Sequence, residues 1–498
     1  MSPAPLPRLP VVIQGGMGVG VSSWMLANAV ARTGQLGVVS GTALDVVVAR
    51  RLQDGDPGGH VLRALADFPL PDVARRVVDM YYREQGRGGE PYRPVPRLAL
   101  RHDQHRDELS VVGNFVEVWL AKEGHSGLVG INFLEKIQMA TPAAAYGAML
   151  AGIDVVLMGA GIPREIPHLL DELAEHRPGT VTVDVAGGPA AQVTLDPTSL
   201  APRDALPPLR RPTFLAIVSS HVLAQYLNRE DSTRPDGFVV EGPVAGGHNA
   251  PPRGKLVLDD TGQPVYGPRD DANLEALAAI GLPFWLAGGF GEPEMVKKAV
   301  ESGAAGVQVG TLFALSQESG LLPHLREELL HALRAGTLEV RTEASASPTG
   351  FPFKVAQVPG TLSDDAEYDG RPRLCDLGYL RQPYARANGQ VGYRCPAEPV
   401  DVFIRKGGEE GTTAGAKCLC NALTADVGIG QQRKDGYVEE PMVTLGADLA
   451  GARRLDSEQW LHGGHAAGWT ATEAVQWLLR EVAAADVDQA PVSGTVQP

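Results

Sequence analysis

Cysteine is scarce in this chain. There are four in 498 residues, Cys375, Cys395, Cys418 and Cys420, all in the last quarter. In a long acidic chain that excludes the disulfide framework of a small secreted domain. Basic charge is also short: 44 Lys and Arg stand against 59 Asp and Glu, a formal net charge of -15. A surface that binds nucleic-acid phosphates without regard to sequence needs the opposite balance. No run of 18 apolar residues occurs, so no membrane span is expected. The opening MSPAPLPRLP has no apolar signal-peptide core, and a cytoplasmic location is the expectation. Aromatics make up only 6%, yet hydrophobic residues reach 44% and charged ones 21%, ordinary for a globular protein. The length allows more than one structural unit.

Glycine (59) and proline (39) are plentiful. They punctuate short β-branched runs at 11–15, 37–41, 128–133, 154–159, 213–218, 237–242, 283–289 and 306–311. Most of these runs are apolar throughout, as in parallel strands covered on both faces. Helical segments lie between them: in EPEMVKKAVESG, Met295, Val296, Ala299 and Val300 share one face. Repeated strand–helix units imply right-handed crossovers and a parallel sheet. The pattern predicts an α/β fold, a (β/α)8 TIM barrel over residues 1–340, with a doubly wound open sheet as the alternative. A further run, TVTVDV at 180–185, is assigned to an excursion over 180–210, which is too rich in proline for a regular helix.

A helical insertion occupies about 44–125, read either as a cap over one barrel end or as a surface decoration used in oligomer packing. Residues 341–486 are read as a C-terminal extension carrying the four cysteines, and 487–498 as a disordered tail.

The run VVIQGGMGVG at 11–20 places glycines at a strand end. The dinucleotide pattern G-x-G-x-x-G fails there. From Gly16 the sixth position is Val21, and from Gly18 it is Ser23. Two later glycine loops, LAGGFG (286–291) and GVQVGT (306–311), would follow the seventh and eighth strands. Those loops of a barrel often cradle a phosphate on backbone N–H groups, where a Cβ would block the approach. Gly288, Gly289, Gly310 and Thr311 have the right composition; two glycine turns without a ligand are the alternative. VVEGPVAGGHNAP (239–251) then presents a single histidine, His248, on the loop side where barrel chemistry is done.

IQGGMGVGVSSWMLANAVARTGQLGVVSG, INF, MGAG, EGPVAGGH, LAGGFGEPEMVKKAVESGAAGVQVGTLF and EASASPTGFPFK occur in family order. Over roughly 10–355 the chain resembles the nitronate monooxygenase (2-nitropropane dioxygenase) family, itself similar to the flavin-dependent enoyl-ACP reductases. The resemblance implies a TIM barrel with non-covalent FMN. Gly15, Gly16, Met17 and Gly18 would lie against the flavin, with Gln14 a candidate ring partner. Asn132, Gly159, Gly161, Gly246 and Gly247 would line the same pocket, and Gly288, Gly289, Gly310 and Thr311 would hold the phosphate. His248 would be the base that deprotonates carbon beside a nitro group. O2 would complete oxidation to a carbonyl compound and nitrite.

Many members carry glutamate where Val244 stands, and glycine rather than Asn249-Ala250-Pro251 after the histidine. Glu241 is the carboxylate available as a substitute. An NAD(P)H- and FMN-dependent enoyl-thioester reductase is the alternative activity, and a barrel without catalysis a third. Small-molecule substrate and O2 are the expected partners; a homo-oligomer is left open. The cysteines lie at C-x19-C-x22-C-x-C. They could bind zinc or an iron–sulfur cluster, form a redox thiol pair, or stay reduced and buried.

Overall fold

The computed structural model describes residues 9–458 and 467–488, so the expected tail lies, from 489 onward, outside the described residues. The barrel strands are β1 (Val12–Gln14), β2 (Gly37–Ser40), β3 (Val129–Leu134) and β4 (Val155–Gly159), then β7 (Thr213–Val218), β8 (Gly237–Glu241), β9 (Phe284–Ala287) and β10 (Gly306–Val309). All pair in parallel and follow sequence order around the sheet, with β1 also paired to β10. Closure comes between β1 and the residue before β2. Gln14 N donates to Leu36 O at 3.0 Å, and Leu36 N donates to Val12 O at 3.1 Å. The α/β TIM barrel read from the sequence is therefore present. The open-sheet alternative is excluded because a closed barrel has no edge strand.

Strand parity divides the core in two. Ile13, Val38, Val155, Leu157, Leu215, Val239 and Trp285 fill the barrel interior as one cluster. Their neighbours Val12, Val39, Val156, Phe214, Phe238, Leu286 and Val307 face outward into the helical layer. Each large side chain buried in this way contributes on the order of 1.5–3 kcal/mol. Trp285, 1% exposed, also donates its indole N–H to Pro10 O at 2.8 Å, which ties the chain start under the barrel floor.

The excursion at 180–210 holds an antiparallel hairpin, β5 (Gly179–Val183) with β6 (Ala191–Leu195), outside the barrel. The insertion at 44–125 is helical: Leu44–Gln53, His60–Ala66, Pro71–Tyr81 and Gln104–Lys122. The last is almost wholly buried and packs between Trp24–Ala31 and Thr141–Leu150. It thus serves as the outer-ring helix of the β2-to-β3 crossover. Gly147 permits this closeness, since a Cβ there would lie 2.2 Å from Val111 O.

Beyond helix Pro323–Ala335, β11 (Val340–Glu343) and β12 (Phe353–Ala356) form an antiparallel ribbon; β13 (Gln382–Ala385) and β14 (Val391–Arg394) form another. The extension is stitched to the barrel mouth. Ala447 N donates to Val244 O at 2.9 Å, and Gly446 N to Thr311 Oγ1 at 3.0 Å. Helix Ala471–Asp488 returns to pack on Pro293–Glu301 and Trp24–Ala31. Residues before and after 340 share one apolar core. Among the described residues no helix is long and apolar enough to cross a membrane.

Candidate active site

Four of the inward positions nearest the C-terminal strand ends are polar. Ser40, Asn132, Glu241 and Gln308 stand there, two residues beyond the inward-facing Val38, Gly130 and Val239 or beside Ala287 on the neighbouring strand. Together with Gly159 and Ile217 they line a cavity above the barrel core. Gln308 Oε1 is buried without a hydrogen-bond partner, an acceptor left open on the wall of this space. A buried acceptor with no partner costs about 1–3 kcal/mol unless something donates to it.

His248 reaches the cavity from the glycine loop after β8. The loop is fixed on its far side by β12: Lys354 N donates to Gly247 O and Asn249 N to Pro352 O, each at 2.9 Å. The imidazole stands edge-on to Phe353, centroids 4.9 Å apart, and its Nε2 is 2.7 Å from Ser347 Oγ. Burial first, and the Lys136 ammonium second, push His248 down to about 4, so the ring is neutral at physiological pH. Burial pushes Glu241 up to about 7, opposed by Lys354. Lys354 is in turn pushed down to about 8 by its own burial; its ammonium is held by Pro243 O at 2.8 Å and by Thr342 Oγ1.

A second cavity adjoins the first, sharing Gly16, Gly18, Glu241, Gly246, Gly247, Gln308 and Thr444. Its walls are the loops after β1, β9 and β10, with Gly15, Met17, Gly288, Gly289, Gly310 and Thr311. Gly288 and Gly289 both sit at φ 83°, a region other residues rarely adopt. Gly16 is pressed on Asn132, whose Cβ lies 2.3 Å from where a Gly16 Cβ would be. The structure thus gathers every singled-out glycine in these two cavities except Gly161. That residue lines a neighbouring pocket with Glu135, Lys136 and Arg164. Gln14 is turned to the protein instead: it donates to Ser22 Oγ at 2.8 Å and accepts from Val38 N at 2.9 Å.

Several lining residues escaped the sequence reading. Gln308 and Ser40 were legible from strand parity, since both fall inward on their strands. Ser347 lies in the quoted EASASPTGFPFK motif, but nothing in the sequence pairs it with His248. Tyr379, Leu380, Leu419, Cys420, Leu423 and Thr444 cover the first cavity from the extension. No residue of 44–125 lines either cavity. Cys420 faces this space, and among the described residues no three His, Cys, Asp or Glu side chains are placed to hold a single metal ion.

Residues 201–348 match the family model described as nitronate monooxygenase. The chain is 30% identical over 225 residues to a nitronate monooxygenase of Pseudomonas aeruginosa, covering 43% of this chain and 54% of that protein. It is 28% identical over 150 residues to a (3aS,4S,5R,7aS)-5-hydroxy-7a-methyl-1-oxo-octahydro-1H-indene-4-carboxyl-CoA dehydrogenase of Mycobacterium tuberculosis, covering 30% of this chain and 39% of that one. The matches thus span about half or less of these relatives' length. Among solved structures, FabK of Thermotoga maritima overlays 97% of this chain and 96% of its own at TM-score 0.48 and 15% identity. Nitroalkane oxidase of Streptomyces ansochromogenes overlays 97% and 98% at TM-score 0.45 and 15% identity. The matched segment carries the His248 loop and the glycine turns after β9 and β10, and in that segment the chain is similar to nitronate monooxygenases.

Proposed function

We propose that the barrel binds FMN and oxidises nitroalkanes, or their nitronates, with His248 as the base. The observation that carries this is a neutral imidazole on a cavity wall beside a glycine-lined cradle and an open acceptor, Gln308 Oε1. The residues present fit the cofactor. Gly16, Gly18 and Met17 offer backbone and thioether to a flat ring, and Gln308 can accept from a ring N–H. Backbone N–H groups of Gly289, Gly310 and Thr311 suit a phosphate. The chemistry FMN supplies when bound is passage of electrons from the nitronate to O2, which yields carbonyl compound and nitrite.

His248 acts before that. With Ser347 Oγ accepting from Nε2–H, the lone pair is on Nδ1, which takes the proton from the carbon bearing the nitro group. The nitronate is left as an anion and the imidazole as a cation. The covering residues of the extension, with Leu380 and Leu423 apolar, keep bulk water from that pair.

A preformed nitronate has already lost this proton, which makes the test selective. His248→Ala is expected to lower turnover of a neutral nitroalkane by roughly 10²-fold or more and to leave preformed nitronate nearly unaffected. Equal losses on both substrates would remove His248 as base.

The second reading, an NAD(P)H-dependent enoyl-thioester reductase, draws on the CoA dehydrogenase relatives and on the neighbouring pocket. There Lys136, 3.7 Å over the Phe351 ring, and Arg164 offer cations to a phosphate-bearing acyl carrier. NADH consumption dependent on an enoyl thioester distinguishes it.

A further inference from the structure

We propose that the hairpin at 255–266 pairs edge to edge with the same hairpin of a second copy of this chain, across a two-fold axis at Val257. The hairpin lies in the long loop between β8 and helix Leu274–Ala278, shortly after His248. Asp259 N donates to Gln263 O and Val265 N to Val257 O, each at 2.9 Å, and Leu258 bridges Pro264. Asp259 sets the turn: its Oδ1 accepts from Thr261 N at 2.8 Å and from Gln263 N at 3.0 Å. The second strand of the hairpin is held to the body. Pro264 is buried, and Gln263 Oε1 accepts from Thr342 N of β11 at 2.8 Å. The first strand, 255–259, is exposed at every residue and forms a free edge.

Three features of that edge are unmet. The first is apolar surface. Leu256 and Leu258 are each 48% exposed, Val257 is 56% exposed, and Val265 opposite it is 48% exposed. Side chains alternate across a strand, so both faces of the hairpin present apolar groups that its own fold does not cover. The second is backbone. Val257 O and Asp259 N turn inward to the hairpin, so the N–H and C=O of Leu256 and Leu258 turn outward. Those groups make no backbone hydrogen bond among the described residues. An open edge of this kind is a template for another strand. The third is charge order. Lys255 begins the edge, and Asp259 and Asp260 end it.

A second copy meets all three. In an antiparallel pair with Val257 opposite the partner's Val257, Leu256 stands opposite the partner's Leu258. Those are the residues with outward backbone groups, and they become the hydrogen-bonded pairs of the ladder. In the same register Lys255 stands opposite the partner's Asp259, a favourable cross-strand pair that occurs twice. Apolar meets apolar and each cation meets a carboxylate, which is the self-complementarity a two-fold contact requires. An unrelated strand could satisfy the backbone, but nothing would match its charges to this order. The base of the loop abuts helix His221–Leu227, through Arg253 Nη2 to Ser219 O and Asn273 N to His221 Nδ1, each at 3.3 Å. Val222 on that helix is 59% exposed and adds apolar area beside the hairpin. The contact is small beside a permanent interface, so the dimer is expected to be concentration-dependent.

The test uses the full chain. Sedimentation velocity from about 1 µM to about 200 µM is expected to show a monomer giving way to a dimer. Val257→Asp sets two carboxylates face to face on the axis and is expected to leave a monomer throughout, with an unchanged circular dichroism spectrum. Lys255→Glu is expected to weaken the dimer several-fold. Register is tested by oxidation of Val257→Cys. Residue 257 pairs with itself at a non-hydrogen-bonded position, where Cα atoms stand about 4.5 Å apart, within disulfide reach. That variant is expected to cross-link into a dimer, whereas Val265→Cys and the wild-type chain with its own four cysteines are not. A wild-type chain that stays monomeric to about 200 µM overturns the proposal, whether another partner or none covers the edge. So does a dimer that persists in Val257→Asp, or a Val257→Cys chain that dimerises without cross-linking.

Discussion

An unperturbed imidazole titrates near 6.5, whereas burial and Lys136 bring His248 to about 4. That displacement disfavours the imidazolium by about 3 kcal/mol. A base works when deprotonated, so activity rises with pH through the folded-state value and is level above it. At pH 5 a group titrating at about 4 is ~90% neutral, against ~3% for the ordinary imidazole. The assay is kcat/KM between about pH 4 and about pH 8, on a nitroalkane that stays neutral throughout, in wild type and Glu241→Gln. Glu241 titrates near 7, so any inflection there belongs to it and is expected to vanish in that variant. What remains is expected to be nearly flat down to pH 5. A fall to a few per cent of the plateau at that pH, persisting in Glu241→Gln, refutes the buried neutral base.

Three further substitutions probe the same cavities. Gly289→Val places a β-branched residue at φ 83°, a strain of about 1–2 kcal/mol, and crowds the cradle; purified protein is expected to carry less FMN, measured by flavin content. Asp448→Asn is expected to tighten FMN several-fold in fluorescence titration, because that carboxylate lines the cradle where a phosphate would sit. Ser347→Ala removes the partner 2.7 Å from His248 Nε2; a loss of about fivefold in kcat on nitroalkane with unchanged flavin content matches one net hydrogen bond of ~1 kcal/mol. Unaltered kcat there would mean the imidazole is oriented by Phe353 and the loop alone.

The barrel was legible because its strands are local signals. All eight apolar runs became strands within a residue or two at most ends, since a parallel strand buried on both faces needs β-branched residues and little else. TVTVDV alternates instead, and it became a hairpin with one face half-exposed. The glycines of the cradle were legible for a similar reason, as a strand end that must admit something close can hardly carry a side chain. What covers the cavity was not. Tyr379, Cys420 and Thr444 arrive from turns with weak periodicity, and their positions are set by long-range contacts such as Gly247 N to Thr444 Oγ1 at 2.9 Å. The insertion at 44–125 shows the converse. Its helices read clearly, but their amphipathic faces say only that they pack, and Gln104–Lys122 packs in the outer ring.

The central claim is that a nitronate reduces a flavin held in this barrel. The direct measurement is the visible spectrum of the purified protein without oxygen, on adding a nitronate and, in a separate sample, NADH. A flavin spectrum bleached by the nitronate and restored by O2 is the expected result. Bleaching by NADH alone, or no flavin even after FMN is supplied, contradicts it.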